Sequence, residues 1–119
     1  MKIAVTSKGS DLKSQVDPRF GRAKYILIID ADTLAFEAID NSENLNAFKG
    51  AGIQAATMIC DREAEVLLTG HCGPNAFTAL KAAGVKVVND VEGMVLDAVT
   101  SFKNGRYTFA EEANVDGHW

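Results

Sequence analysis

Two residues able to ligate soft or borderline metals, His71 and Cys72, stand side by side in the stretch Thr69-Gly70-His71-Cys72-Gly73-Pro74-Asn75. This stretch follows the apolar run Val66-Leu67-Leu68 and precedes the helical pattern Ala76 to Ala83. It therefore reads as the turn between a short buried strand and a helix. Gly70 and Gly73 permit a sharp turn and a close backbone approach to a ligand, and Pro74 suits the first helical position, where no amide hydrogen is needed. A helix start of this kind presents N–H groups and a positive dipole end, and attracts anions. A second stretch, Ser7 to Arg22, supplies the cations Lys8, Arg19 and Arg22, with Phe20 and Gly21 between the arginines. It is long for a loop in a compact domain, and a buried Phe20 would anchor it with both arginines facing outward. A third, Lys49-Gly50-Ala51-Gly52, sets glycines and a lysine at another helix start. It reads as a second anion contact or as a point of close helix packing.

Several chemistries are excluded. A two-metal nuclease needs clustered carboxylates, and the first strand carries none. A cysteine phosphatase needs an arginine six residues after its cysteine, where this chain has Thr78. The phosphate-binding pattern Gly-x-x-x-x-Gly-Lys-Ser/Thr is absent. His71, Cys72 and His118 do not make a four-ligand zinc set. A Cys–His catalytic pair is disfavoured because adjacent residues in a turn usually point apart. What survives is a shallow anion site of glycine-rich backbone, a few cations and one thiol. An anionic metal–sulfur cluster fits it better than a phosphate ester, with Cys72 and His71 as candidate metal ligands. The plain alternative makes Cys72 a small buried apolar residue and His71 a surface residue.

The 119 residues suffice for one domain with a single core. Net charge is -4, which argues against a general nucleic-acid binder. Yet the first 24 residues carry six cations (Lys2, Lys8, Lys13, Arg19, Arg22, Lys24) against Asp11 and Asp17. Such a segment in an acidic protein is a focused anion site or a solvated loop. No apolar run is long enough to span a membrane, and Met1 to Val5 passes directly into a strand pattern without a signal-peptide core. The expectation is a cytoplasmic protein with no membrane or nucleic-acid partner.

The elements that must position these residues follow from periodicity. Strands are expected at Lys2 to Thr6, Lys24 to Asp30, Leu34 to Asp40, Glu65 to Thr69 and Val85 to Val88, the second and third forming a hairpin. Helices are expected from about Gly50 to Arg62, with Ile53, Ala56, Ile59 and Cys60 on its apolar face, and from Ala76, ended by Gly84. A last helix, capped by Asp90, would bury Val91, Val95, Ala98, Val99 and Phe102. Asn41 to Asn44 reads as a polar break. This order implies an α/β fold: a five-stranded mixed sheet, one strand antiparallel, with flanking helices. If the first strand pairs with both the hairpin and the Glu65–Thr69 strand, the Ser7–Arg22 loop and the Thr69–Asn75 turn meet beyond the strands' carboxyl ends, where α/β sheets bind ligands. The single domain is expected over 1–109 and a flexible acidic tail over 110–119.

Three separated stretches also resemble one known family. Val16-Asp17-Pro18-Arg19-Phe20-Gly21-Arg22-Ala23, Gly50-Ala51-Gly52-Ile53-Gln54-Ala55-Ala56, and Leu67 to Gly70 with Gly73 to Ala76 resemble the dinitrogenase iron–molybdenum cofactor-binding family, in order, over roughly residues 1 to 105. The resemblance implies a ribonuclease H-like three-layer fold and a non-enzymatic role in binding or carrying metal–sulfur cofactors or their precursors. The chain is most similar to a small member from sulfate-reducing bacteria that holds a molybdenum–copper sulfide cluster non-covalently. An acceptor or partner protein is implied but unidentified. The resemblance carries the glycines and the arginine loop, not the His71-Cys72 pair. A protein-interaction module without cofactor, and a small enzyme using Cys72 on an anionic metabolite, stay open as alternatives.

Overall fold

The computed structural model describes residues 1–45 and 50–113. The strands are β1 (Lys2–Ser7), β2 (Tyr25–Asp30), β3 (Phe36–Asp40), β4 (Val66–Leu68) and β5 (Lys86–Val88). The helices are α1 (Ser42–Leu45), α2 (Ala51–Asp61), α3 (Pro74–Ala82) and α4 (Val95–Lys103). The sheet runs β3-β2-β1-β4-β5. β2 lies antiparallel to β1 and β3, while β1, β4 and β5 are mutually parallel. The expected five-stranded mixed sheet with one antiparallel strand is therefore the architecture observed.

Alternation along the strands divides two apolar layers. Ala4, Ile26, Ile28, Leu67 and Val87 face α2 and α3, where they meet Ala55, Ile59, Phe77 and Leu80. Ile3, Val5, Leu27, Ile29, Leu68 and Val88 face α4, where they meet Val95, Ala98 and Val99. β1 is central and buried on both faces, which explains its nearly continuous apolar run.

The structure revises four expectations. Residues 42–45 form the short helix α1 rather than a break. The buried face of α2 is Ala51, Ala55, Ala56 and Ile59, whereas Ile53 is 46% exposed and Cys60 only partly buried. Small residues let this helix lie close to its neighbours, and the face they define turns Ile53 outward. Asp90 does not cap the last helix. It sits at φ 62, its N–H and that of Val91 go to the carbonyls of Gly70 and Thr69, and α4 starts only at Val95 after Met94. The first part of the acidic tail also lies against the domain. The Ala110 N–H donates to the Val87 carbonyl at 2.7 Å, on the edge strand, and Ala110 and Ala113 pack on the α2/α3 layer. The Lys86 ammonium lies 5.3 Å from the ring of Phe109, which is 6.0 Å from that of Phe102. His118 and Trp119 lie outside the described residues.

The segment after α4 thus covers an otherwise open sheet edge. Truncation after Gly105 is expected to cost about 1–2 kcal/mol, from one backbone hydrogen bond and the Phe109 contacts, and to promote association through β5. Urea denaturation and sedimentation velocity of the shortened chain check both effects.

Candidate functional site

β1 and β4 are parallel neighbours, and β1 pairs with antiparallel β2 on its other side. Their carboxyl ends therefore open on one spot, where the chain direction changes. Two loops meet there as a short parallel ladder: the Pro18 carbonyl accepts the His71 N–H at 2.6 Å, and the Phe20 N–H donates to the His71 carbonyl at 3.0 Å. Gly70 is what lets them close. A Cβ on it would lie 2.6 Å from Pro18 Cα, inside any permitted contact. The close approach that Gly70 provides is thus to the arginine loop.

The loop itself has two halves. Residues 12–16 run over α4, with Leu96 and Val95 donating to the carbonyls of Leu12 and Ser14 and Val16 buried in that layer. Phe20, 1% exposed, dives into the opposite layer beside α2 and α3. Arg19 on one side of it is exposed and Arg22 on the other is partly so, the arrangement the sequence suggests. Burying Phe20 contributes about 1.5–3 kcal/mol, and ordering one residue's backbone costs about 1–2 kcal/mol. The phenylalanine therefore cannot hold the loop alone, and the ladder is required. Lys8 is exposed, and its N–H pairs with the Gln15 carbonyl in the half that faces α4. The contacts that gather the arginine half do not include it.

Two helix starts close the site. Gly21, at φ 92, presses on Gly52, where a Cβ on Gly21 would lie 2.8 Å from the Gly52 Cα and N. Gly52 lies against Ala76 of α3, 3.1 Å from where a Cβ would stand. So the arginine loop, the first turn of α2 and the first turn of α3 stack on one another. Gly50 is the N-cap of α2 at φ 81, and Gly73 is the N-cap of α3, with Pro74 in its first turn as expected and Asn75 exposed beside it. Among the described residues, neither helix has a side-chain cap or an acidic residue in its first turn. An anion here would meet two positive helix ends and no carboxylate from either first turn. Lys49, part of the expected second contact, lies outside the described residues.

The two candidate ligands behave differently. His71 is half-buried, and its backbone forms the ladder. Cys72 is fully buried in the α2/α3 layer, its Sγ 3.7 Å from the Gly73 carbonyl, and burial pushes its thiol up to about 12. At neutral pH it is a protonated, apolar-packed thiol. Among the described residues, no three His, Cys, Asp or Glu side chains are grouped to hold a metal ion. Thr69 is buried, its hydroxyl 2.9 Å from that of Thr6. The geometry suits charge and N–H groups around an anion better than a ring of covalent ligands.

A family model described as dinitrogenase iron-molybdenum cofactor matches residues 1–105. The chain belongs to the dinitrogenase iron-molybdenum cofactor family. It is similar to the orange protein of Desulfovibrio gigas, solved in its apo form, at 47% identity over 96% of each chain with a TM-score of 0.93. It is also similar to a candidate NifB protein from Thermotoga, at 34% identity over 98% of each chain with a TM-score of 0.83. A candidate dinitrogenase from Methanocaldococcus jannaschii, 14% identical over 94% of this chain and 96% of its own, shares the fold with a TM-score of 0.73. No match is found among curated protein sequences. The family match ends before the segment that covers β5.

Three supports of this family member's site escape a reading of the sequence. Asn41, buried at the end of β3, donates from Nδ2 to the carbonyls of Gly21 and Ala23 at 3.2 and 2.8 Å. Thr6 donates its hydroxyl to the Asp17 carbonyl at 2.6 Å. Asp17 is itself buried and pairs with Arg19 at 3.5 Å. Only the run Asp17-Pro18 gives any signal, as a turn.

Two outcomes follow from this packing. Gly70→Ala is expected to destabilise the fold by about 1–3 kcal/mol through overpacking against Pro18, measured by denaturant unfolding. At pH 8 a disulfide reagent is expected to label partly exposed Cys60 in the native protein and to reach Cys72 only on unfolding. Because the folded Cys72 thiol titrates higher than an unfolded one, its contribution to stability is complete below about pH 9 and is lost as pH rises toward 12.

Proposed function

We propose that this protein is a non-enzymatic carrier or scaffold for an anionic, molybdenum-containing metal–sulfur cluster or its precursor, held non-covalently where the two loops and two helix starts converge. The observation that carries this reading is the convergence itself. Uncapped, acid-free first turns of α2 and α3 stack beside a loop bearing Arg19 and Arg22. The family membership and the likeness to the orange protein support the cluster as the anion. A molybdenum–copper sulfide is the specific species we favour.

On this reading, Arg19 and Arg22 neutralise charge and the first-turn N–H groups of α2 and α3 face the sulfides. Phe20, Gly21, Gly50, Gly52, Thr69 and Gly70 shape the site. Gly73, Pro74 and Asn75 present the start of α3. Lys8 adds only longer-range attraction, which salt screens. His71 is the residue better placed to approach a metal, since Cys72 is buried and held neutral. That state of Cys72 also speaks against the nucleophile that an enzymatic alternative requires. The cluster is the protein's cargo, to be passed to an acceptor protein of unknown identity. We place the protein in the cytoplasm; among the described residues no helix is long and apolar enough to cross a membrane.

Titration of metal-free protein with tetrathiomolybdate, with and without copper, followed by desalting, visible absorption and metal analysis, tests the reading. A stoichiometric coloured complex is expected. No retained metal would favour an interaction module using the same loop. Arg22→Glu is expected to weaken retention at low salt, with urea denaturation used to check that the variant is folded. Cys72→Ala is expected to leave the spectrum of the complex unchanged, and an altered spectrum would make the thiol a ligand.

A further inference from the structure

A carboxylate inside a site for an anion needs a reason. The side chain of Asp17 is 4% exposed, whereas that of Arg19 is 46% exposed. A buried charge is costly unless it is paired and hydrogen-bonded. Asp17 Oδ1 accepts the backbone N–H of Arg19 at 3.0 Å and lies 3.5 Å from its Nε. The backbone of Asp17 is fixed as well, its N–H donating to the Thr6 carbonyl at 2.9 Å and its carbonyl accepting the Thr6 hydroxyl at 2.6 Å. A carbonyl can only accept, so Thr6 spends its one hydroxyl hydrogen there. The 2.9 Å contact between the two threonines must then run from Thr69 to Thr6. A directed chain of hydrogen bonds therefore leads from the end of β4, through β1, to Asp17.

The contact to Asp17 is made by Nε, which carries one of the five guanidinium hydrogens, on a side chain that is 46% exposed. We propose that Asp17 is a positioning residue of the anion site, whose buried carboxylate orients the Arg19 guanidinium so that its Nη edge faces the cluster. The inference rests on the cluster-binding reading and adds to it a residue with the opposite charge to those expected there. It also makes an unusual demand. By charge alone, Asp17 repels an anionic cluster, and neutralising it would tighten binding. As a positioning residue, its neutralisation loosens binding.

Asp17→Asn separates these, because the amide oxygen can still accept the Arg19 N–H and keep the turn while the charge is lost. The wild type, Asp17→Asn, Arg19→Gln and the double variant are titrated with tetrathiomolybdate and copper at low salt. Each single variant is expected to weaken binding about tenfold, and the double variant to bind no worse than Arg19→Gln, as for residues acting through one contact. Equal or tighter binding by Asp17→Asn overturns the proposal while leaving cluster binding intact. Failure of the wild type to bind overturns the cluster reading and, with it, the role of Asp17 toward a cluster. A second readout needs no cluster. The Arg19 Nε–H proton of the metal-free protein is expected to be slowed in exchange with solvent and to lose that protection in Asp17→Asn. Solvent-rate exchange in the wild type overturns the proposal. Should Asp17→Asn fail to fold, Arg19→Lys keeps the charge without the planar fork, and wild-type affinity in that variant overturns it equally.

Discussion

The short ladder between residues 18–20 and 70–72 is the contact on which the rest of the site depends. It contains only two hydrogen bonds, from His71 to the Pro18 carbonyl and from Phe20 to the His71 carbonyl. Yet it joins the loops that leave two adjacent parallel strands, and everything else is hung from it. It delivers Phe20 to the α2/α3 layer, sets Arg19 and Arg22 on either side, and brings Gly21 onto the start of α2. The ladder requires a residue without a side chain at Gly70, since Pro18 occupies that space. Net gains from single hydrogen bonds are only about 0.5–1.5 kcal/mol, so steric fit sets the register and the hydrogen bonds confirm it.

Polar groups buried around the ladder are few, and those that hold the arginine loop are hydrogen-bonded. Thr6, Thr69 and Asp17 form one chain, and Asn41 closes the loop's far end at Gly21 and Ala23. Thr6 and Asn41 satisfy loop carbonyls that would otherwise be left in an apolar setting, where an unmet group costs about 1–3 kcal/mol. The result is a long connection held without regular secondary structure. Its rigidity matters for binding, because a pre-formed arrangement of arginines and helix starts spares a ligand the cost of ordering them.

Much of this was legible in the sequence, and the parts that were not share a cause. Apolar strand runs, the helix starts at Gly50 and Pro74, and the direction rule for parallel strands led to the mixed sheet and to the meeting of the two loops. Phe20 flanked by arginines led to the anchored loop. Asp17, Thr6 and Asn41 could not be read, because a single polar residue carries no periodic signal and its burial is decided by distant chain. Gly70 reads as a close approach to a ligand for the same reason, since the residue it meets, Pro18, is remote in sequence. Asp90 looked like a cap because an acid preceded an apolar pattern, but its N–H was needed by Gly70. Cys72 has the chemistry of a ligand, while its place in the core is set by the packing of the α2/α3 layer.

The central position of β1 has a consequence for how the protein is made. The strand at the middle of the sheet is made before the other four, and one neighbour, β2, follows to form a local antiparallel pair. Its other neighbour is β4, and the ladder partner of the arginine loop is His71, so neither exists until the chain has been synthesised well past α2. Until then the loop lacks its ladder partner, and α3 cannot cover its share of the nascent sheet. Contacts of such long sequence separation form slowly and leave apolar surface exposed meanwhile. The ladder, and with it the placing of Arg19 and Phe20, therefore forms only after His71 has joined the chain and β4 has docked against β1.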